Sequence, residues 1–159
     1  DRDGVINKDF GYVYKISKLK FLPGVLKGLK LISENKFLII IVTNQSGIGR
    51  GYYSKKQFFK LNKYIIKKSS RAKSNIDDIY FCPHHPTEAL NKFKKDCKFR
   101  KPNPGMINAA VKKWSINKNK SFMIGDKNSD KIAAKNSGIR FFYKKKTSFD
   151  LQIRKILAI

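Results

Sequence analysis

Two aspartates, Asp1 and Asp3, stand one residue apart at the start of the sequence and are followed by a glycine. One carboxylate of such a pair can attack phosphorus, and the other can protonate a leaving group and later accept a proton from water. An isolated Asp-x-Asp pair is more often a turn or a helix cap. The pair therefore predicts chemistry only if the fold brings further polar residues to it.

Three more polar clusters lie after apolar stretches or just before a helical one: Thr43 with Asn44, Arg100 with Lys101, and Asp126 with Asp130. Each cluster alone is unremarkable, but in this order they predict one convergent site for phosphoryl transfer through an aspartyl intermediate. Asp126 would supply a second charged ligand for Mg²⁺, which offsets the repulsion between carboxylates and phosphate. Thr43 would bind the phosphoryl oxygens, and Lys101 would neutralise their developing charge.

Strands and helices must alternate to place these clusters together. Apolar runs predict strands at residues 37–42, 79–81, 121–125 and 139–143. Helical periodicity and caps predict helices at residues 23–35, 54–70, 104–114 and 129–138, with Ser54 and Ser129 as N-caps and Gly138 as a stop. This order indicates an α/β fold, Rossmann-like, with a mostly parallel sheet, helices on both faces and ligands at the carboxyl ends of the strands.

The chain is expected to form one domain, 1–159, without a lid. A strand should precede Asp1, so the sequence is expected to lack the first strand of the fold. Only about 40 residues separate Asp3 from Thr43, and a strand and a helix use most of them. Specificity should then come from the short loops 8–22 and 82–99, which leave an open site suited to a phosphorylated sugar.

Charge is the most pronounced bulk feature, because the formal net charge is +25. The 30 lysines and 6 arginines are dispersed along the chain, which favours a solvated basic surface. A nucleic-acid-binding module is the alternative, but clustered arginines and interleaved stacking aromatics are missing. No apolar run approaches the roughly 18 residues of a membrane span. We therefore expect a cytoplasmic monomer without a membrane partner or a specific nucleic-acid partner.

The motifs resemble those of the haloacid dehalogenase superfamily. The four matching stretches are DRDGVIN, VTNQSGIGRG, CKFRKPNPGM and MIGDKNSD. With DFGYVY and YFCPHHP, the finer resemblance is to the D-glycero-D-manno-heptose 1,7-bisphosphate 7-phosphatase branch, which is related to the histidinol-phosphate phosphatase domain. The resemblance implies a Mg²⁺-dependent phosphatase that removes the 7-phosphate in the supply of heptose for lipopolysaccharide, with histidinol-phosphate phosphatase as the alternative.

The resemblance also implies roles for individual residues. Asp1 would be the nucleophile and Asp3 the proton donor. Asp1, Asp3 and Asp126 would bind Mg²⁺, whereas Thr43 and Lys101 would stabilise the phosphoryl group. The substrate would be bound by Asp9, Phe10, Gly11, Tyr12, Asn44, Gln45, Ser46, Arg100 and Lys127. Outside this motif context, Arg100 and Lys127 would be interpreted as ordinary surface charge.

The segment 82–99 resembles the structural zinc loop of the same branch, in which Cys-x-His is closed by Cys-x-Cys. Cys82, His84 and Cys97 match, but Phe99 stands where the fourth ligand is expected. Structural zinc sites are closed tetrahedra, so a three-residue set leaves one position for water or for His85. The competing interpretation is a metal-free loop that is held by packing of Phe99 and Pro83.

Overall fold

Strands and helices alternate along the chain, and the computed structural model describes residues 1–158. The strands are β1 (Ile40–Asn44), β2 (Asp78–Cys82), β3 (Phe122–Gly125) and β4 (Arg140–Tyr143). The α-helices are α1 (Val25–Glu34), α2 (Ser46–Gly49), α3 (Lys55–Arg71), α4 (Gly105–Lys113), α5 (Asn128–Ser137) and α6 (Phe149–Leu157). All four predicted strands and all four predicted helices are confirmed, with shifts of a few residues at their ends.

The strands form two parallel pairs, β1 with β2 and β3 with β4. β1 begins three residues later than the apolar run and extends through Asn44. The N–H of Ile39 donates to the carboxylate of Asp77 at 2.7 Å instead of joining the ladder, which explains the later start. Because each pair is parallel and in register, its two carboxyl ends lie at the same edge.

Helices cover both faces of the strands, as the sequence predicts. In β1, Ile41 belongs to a core formed with α1, α3 and α6, whereas Val42 belongs to a second core formed with α4 and α5. Ile124 and Met123 of β3 divide between the same two cores. Adjacent strand residues point to opposite faces, so both faces of these strands are buried against helices.

The start of α5 differs from the prediction. Ser129 lies inside the helix, and the N-cap is Lys127, whose N–H donates to the carboxylate of Asp130 at 3.0 Å. The prediction of Ser129 as the cap is therefore wrong, because Asp130 satisfies the free backbone donor from three residues further along the chain. Gly138 ends the helix in a left-handed conformation with φ of 71°, as predicted.

Helix α6 was not predicted from the sequence. It packs across α1, where Phe149 lies so close to Gly28 that a Cβ atom at this glycine would come within 2.4 Å of the ring. At α3 the sequence was sufficient, since Ser54 and Gln57 form the expected capping box. Ser148 at the start of α6 makes no such capping hydrogen bond, but Phe149, Ile153 and Ile156 recur at helical spacing and are buried, so the sequence did carry a signal for this helix.

An apolar cavity of 540 Å³ separates β1 from β3 on one face of the fold. Ile40 and Val42 line one side, and Met123 and Ile124 line the other. At the polar end of this gap, the backbone nitrogen of Asp1 donates to the carbonyl oxygen of Ile124 at 2.8 Å. The expectation of a strand before Asp1 stays a prediction.

No helix in residues 1–158 combines the length and apolar character needed to cross a membrane.

Candidate active site

The predicted carboxylates meet at the carboxyl edge of the strands. Thr43 lies near the end of β1, and Asp126 directly follows β3. Carboxylate oxygens of Asp1, Asp126 and Asp130 all lie within 4.8 Å of one another. The structure therefore brings three of the four sequence clusters to this edge, and Lys101 of the fourth reaches the same place.

Lys101 is almost fully buried, with 3% of its surface exposed. Its Nζ lies 2.6 Å from Oδ1 of Asp130 and 3.1 Å from Oδ1 of Asp1, and it donates to the carbonyl oxygen of Val42 at 2.9 Å. Burial lowers the pKa of Lys101, and the charge of Asp130 opposes that change. The side chain of Asn44 fixes the Lys101 backbone through two hydrogen bonds of 3.0 Å, so its side chain positions the lysine.

The two acidic residues that follow β3 have different electrostatic environments. Burial raises the pKa of Asp126, and the nearby charge of Asp130 adds to this effect. Burial would also raise the pKa of Asp130, but the ammonium of Lys101 lowers it below its ordinary value. Asp130 is therefore the anionic partner of Lys101, a role that its four-residue spacing from Asp126 did not identify.

Asp3 is held by three side chains. Arg2 donates to both of its carboxylate oxygens at 2.9 and 3.0 Å, Asn7 donates to Oδ1 at 2.9 Å, and Gln45 donates to Oδ2 at 2.9 Å. Arg2 and Asn7 are completely buried. Sequence reasoning missed both residues, although they lie inside the DRDGVIN motif. They fix the orientation of Asp3 before any substrate is bound.

The segment that follows Thr43 serves the site mainly through Gln45. This side chain is 3% exposed and makes hydrogen bonds to Asp3 and Thr43. Ser46 is half-buried and begins α2. Of the residues expected to bind substrate here, the side chains of Asn44 and Gln45 make their hydrogen bonds to the protein itself.

The loop expected to bind substrate, from Asp9 to Tyr12, lies at the surface. Phe10 and Tyr12 are 50% and 42% exposed. Lys127 Nζ lies 3.2 Å from Oδ2 of Asp9, which brings two of the predicted substrate-binding residues together from opposite ends of the chain. Although burial acts to lower the pKa of Lys127, its ion pair with Asp9 raises it. The N–H of Gly11 donates to Asp9 Oδ1 at 2.9 Å and stabilises the turn.

Two arginines connect the surface loops. Arg100 donates to the carbonyl oxygen of His84 at 3.0 Å. Arg50 forms an ion pair with Glu88, and its guanidinium carbon lies 5.8 Å from the centre of the Tyr12 ring. Sequence reasoning identified Arg100 but missed Arg50. Both arginines restrain the segment 82–99, and Arg50 also contacts the loop that carries Tyr12.

The three predicted zinc ligands are close together. Donor atoms of Cys82, His84 and Cys97 lie within 4.8 Å of one another. His85 Nδ1 accepts from backbone N–H groups two and three residues further along, so this atom is already used within the loop. Phe99 is 43% exposed. The Phe99 ring is therefore only partly packed, whereas Pro83 is buried, and the metal-free alternative stays a prediction.

The carboxylate cluster has the donor set of a site for a hard divalent cation. Oδ1 of Asp126 is buried and has no hydrogen-bond partner among residues 1–158. A buried, unpartnered carboxylate oxygen is costly unless a cation neutralises it. Gly4, at φ of 80°, leaves the necessary space, because a Cβ atom there would lie 2.2 Å from Asp126 Oδ2. Asp1, Asp126 and the adjacent backbone thus fit a bound Mg²⁺.

Comparisons with known proteins agree with this geometry. A family model described as haloacid dehalogenase-like hydrolase matches residues 90–144. The D-glycero-beta-D-manno-heptose-1,7-bisphosphate 7-phosphatase of Pasteurella multocida is 42% identical over 88% of this chain and 76% of that protein. The D-glycero-alpha-D-manno-heptose-1,7-bisphosphate 7-phosphatase of Burkholderia mallei is 44% identical over 87% of this chain and 74% of that protein.

A solved structure shows the same fold. The crystal structure of D,D-heptose 1,7-bisphosphate phosphatase from B. bronchiseptica, complexed with magnesium and phosphate, has a TM-score of 0.82. The match covers 99% of this chain and 95% of that one at 22% sequence identity, which supports the fold alone.

The parallel strands and their carboxylate edge define a Rossmann-like hydrolase of the haloacid dehalogenase class. Within that class, the two relatives that are more than 40% identical over most of this chain identify the family. The chain belongs to the D-glycero-D-manno-heptose-1,7-bisphosphate 7-phosphatase family of phosphoric monoester hydrolases. The resemblance inferred from the four sequence motifs is confirmed.

Proposed function

We propose that the protein hydrolyses the 7-phosphate of D-glycero-D-manno-heptose 1,7-bisphosphate through an aspartyl-phosphate intermediate. One observation carries this proposal: Asp1 and Asp126, which are partly open to solvent, lie against the buried Lys101 and Asp130 at the carboxyl edge of the strands. The cluster combines a nucleophile, a cation for the phosphoryl oxygens and a metal-binding carboxylate. The names of the relatives support the choice of sugar phosphate.

The hydrogen bonds of Asp1 indicate which oxygen attacks. Oδ1 accepts the N–H of Arg2 at 2.7 Å and contacts Lys101, so Oδ2 is the atom available to attack phosphorus. A bond forms from Oδ2 to phosphorus while the bond from phosphorus to the sugar oxygen breaks. Asp3 donates a proton to that oxygen and later takes one from the water that hydrolyses the acyl phosphate. Thr43 and Lys101 stabilise the charge on the phosphoryl oxygens.

Magnesium would be held by Asp1, Asp126 and the backbone of Asp3. When bound, Mg²⁺ neutralises charge on the phosphoryl group and on the carboxylates that surround it. The unpartnered Oδ1 of Asp126 supports this assignment. Asp130 is better placed as the partner of Lys101, from which its Oδ1 is 2.6 Å away.

Substrate recognition is assigned to the surface around the site. Arg100, Lys127 and the loop from Asp9 to Tyr12 would contact the sugar and its second phosphate. The ion pair between Lys127 and Asp9 can open to present the ammonium to a phosphate, because both side chains are partly exposed. The dispersed lysines should give only weak, salt-sensitive binding to nucleic acid.

A zinc ion in the segment 82–99 is a separate part of the proposal. Cys82, His84 and Cys97 provide three suitable donors in one place. Burial raises the pKa of the Cys82 thiol to about 12, and the nearby Cys97 adds to this effect, so zinc binding must displace a firmly held proton. Because three protein ligands leave the tetrahedron open, the site should be weak, and because the thiols must lose their protons it should bind zinc more tightly as the pH rises.

Phosphate release tests the proposed function. The protein should release phosphate from heptose 1,7-bisphosphate faster than from histidinol phosphate, and only with Mg²⁺. Asp1→Asn should reduce turnover to below a few per cent of the wild-type rate, because covalent catalysis then lacks its nucleophile. The matched control Glu34→Gln, at the exposed end of α1, should retain wild-type turnover. Substantial activity in Asp1→Asn would rule out the aspartyl-phosphate route.

A further inference from the structure

A buried hydrogen-bonded relay runs from Tyr53 through Gln45 to the residues that act on the phosphoryl group. We propose that Tyr53 and Gln45 are positioning residues that orient Asp3 as proton donor and Thr43 as hydroxyl donor. The inference rests on the proposed phosphatase function and assigns a role to two side chains behind the reacting groups. It concerns the steps in which a sugar oxygen leaves and a phosphoryl oxygen gains charge.

The contacts of the relay form an unbroken series. The hydroxyl of Tyr53 donates to Oε1 of Gln45 at 2.5 Å. The amide Nε2 of Gln45 donates to Oδ2 of Asp3 and to Oγ1 of Thr43, each at 2.9 Å. Tyr53, Gln45 and Thr43 are 5%, 3% and 1% exposed, so water does not compete for these bonds.

The chemistry of the partners fixes the direction of every bond. Once Asp3 has given its proton to the leaving oxygen it is a carboxylate and can only accept, so the NH₂ group of Gln45 must face it and the amide oxygen must face Tyr53. Tyr53 then has to donate its proton to that oxygen. Burial raises the pKa of Tyr53, with a smaller contribution from the charge of Asp3, and the hydroxyl consequently stays protonated at neutral pH. Without this donor, the amide could rotate and present its oxygen to the carboxylate.

The direction of the hydrogen bond from Gln45 also determines what the Thr43 hydroxyl can do. Its Oγ1 accepts a proton from Gln45, so its own O–H is free to point away from the amide. Thr43 lies near the carboxyl end of β1, the edge at which the proposed function places the phosphoryl group. A hydroxyl can donate or accept a hydrogen bond, and the contact with Gln45 leaves the Thr43 hydroxyl to donate to a phosphoryl oxygen. The amide of Gln45 thus fixes the hydrogen-bonding direction at both residues to which it donates, Asp3 and Thr43.

Packing holds the far end of the relay. The Tyr53 ring stacks on Tyr14 with centroids 5.0 Å apart and an interplanar angle of 10°. Gly47 leaves room for this ring, because a Cβ atom there would lie 2.3 Å from Tyr53 Cε1. Tyr14 belongs to the loop 8–22 near the entrance of the site. The relay therefore connects that loop to Asp3 through side chains alone.

The test compares two substrates whose leaving oxygens differ in their need for a proton. Heptose 1,7-bisphosphate releases a sugar hydroxyl and needs a general acid, whereas p-nitrophenyl phosphate releases a stable phenolate and needs little protonation. Tyr53→Phe keeps the stacked ring and removes only the hydroxyl. We expect kcat/KM to fall about tenfold more for the sugar bisphosphate than for p-nitrophenyl phosphate. Gln45→Glu, which places a carboxylate against Asp3, should show a larger difference in the same direction.

The ratio of the two kcat/KM values does not depend on how much of a variant is folded. Tyr64→Phe on α3, which removes a tyrosine hydroxyl distant from the relay, should leave the ratio unchanged. Equal losses on both substrates in Tyr53→Phe would overturn the role of the relay in orienting Asp3 as proton donor, because the Thr43 contact serves both substrates alike. The absence of any loss would overturn the whole relay. Failure of the wild-type protein on both substrates would instead refute the proposed function, and the relay with it.

Discussion

The ammonium of Lys101 lies 2.6 Å from Oδ1 of Asp130, and both side chains are nearly or fully buried. A buried cation without a partner carries a large desolvation cost, so Asp130 keeps Lys101 charged beside Asp1. Asp130→Asn should destabilise the fold by about 3 kcal/mol, the lower end of the cost of breaking a buried pair, because Asp1 still lies 3.1 Å from Lys101. It should also lower phosphate release by roughly 100-fold, because a charged Lys101 is needed to stabilise the phosphoryl oxygens.

Thermal melting and steady-state turnover of Asp130→Asn separate these two effects. Glu34→Gln removes one carboxylate at the exposed end of α1 and is the matched control for net charge. Turnover should be measured well below the melting temperature of the variant. A folded Asp130→Asn protein with near wild-type turnover would show that Lys101 does not depend on this partner.

Gly4 permits Asp126 to approach the site. An alanine at position 4 would bring Cβ within 2.2 Å of Asp126 Oδ2, and φ of 80° already disfavours any side chain. Gly4→Ala should therefore displace Asp126 and raise the Mg²⁺ concentration for half-maximal turnover by about tenfold or more. The measurement is a Mg²⁺ titration of phosphate release.

Gly51→Ala is the control for backbone strain. Gly51 has nearly the same φ, 78°, but its nearest neighbour would lie 3.4 Å from the added Cβ atom. This variant should lose stability without a change in its Mg²⁺ requirement. Equal Mg²⁺ requirements in Gly4→Ala and in the wild-type protein would contradict a metal-binding role for Asp126.

The order of the strands and helices, and the placement of the four motifs at one edge of the strands, could be predicted because both depend on short-range sequence patterns. Apolar runs mark the strands, and parallel strands place their polar exits at one edge, so Thr43 and Asp126 were identified from position alone. Lys101 was identified by its motif. Its burial and its contact with Asp130 appear only in the structure.

Side-chain hydrogen bonds at the site could not be predicted in the same way. Gln45 was expected to line the substrate pocket, whereas its side chain connects Tyr53 to Asp3 inside the protein. Arg2 was not identified from the sequence, although it is fully buried against Asp3. A residue type gives the bonds that a side chain can make, but the partner is chosen by packing between segments distant in sequence.

Asp78 connects the start of β2 to the end of α4 and gives a pH-dependent contribution to stability. Burial acts against its charge, but hydrogen bonds from Lys113 at 2.7 Å and Trp114 at 3.0 Å lower its pKa to about 2. A pKa below that of the unfolded chain, about 4, stabilises the fold above pH 4, and this contribution is lost as the pH falls toward 2.

Asp78→Asn should accordingly lower the free energy of unfolding at pH 6, and the difference from the wild-type protein should shrink at pH 3. Urea unfolding at both pH values measures this difference. Lys113→Met should show the same trend with a smaller amplitude, because Trp114 still donates to the carboxylate. If the difference in unfolding free energy between the wild-type protein and Asp78→Asn grew as the pH fell, the pKa of Asp78 could not be lowered in the folded protein.

The segment 82–99 offers three ligands for zinc, and Phe99 stands at the position expected for the fourth. Because Phe99 is 43% exposed, replacing its ring should leave no cavity in the core. We expect Phe99→Cys to raise the zinc content of purified protein and to slow its loss to a chelator, since a closed tetrahedral site exchanges slowly. Phe10→Cys adds a thiol at another half-exposed phenylalanine and should leave the zinc content unchanged. Elemental analysis decides the outcome: full, chelator-resistant zinc in the wild-type protein would mean that a further donor already completes the site.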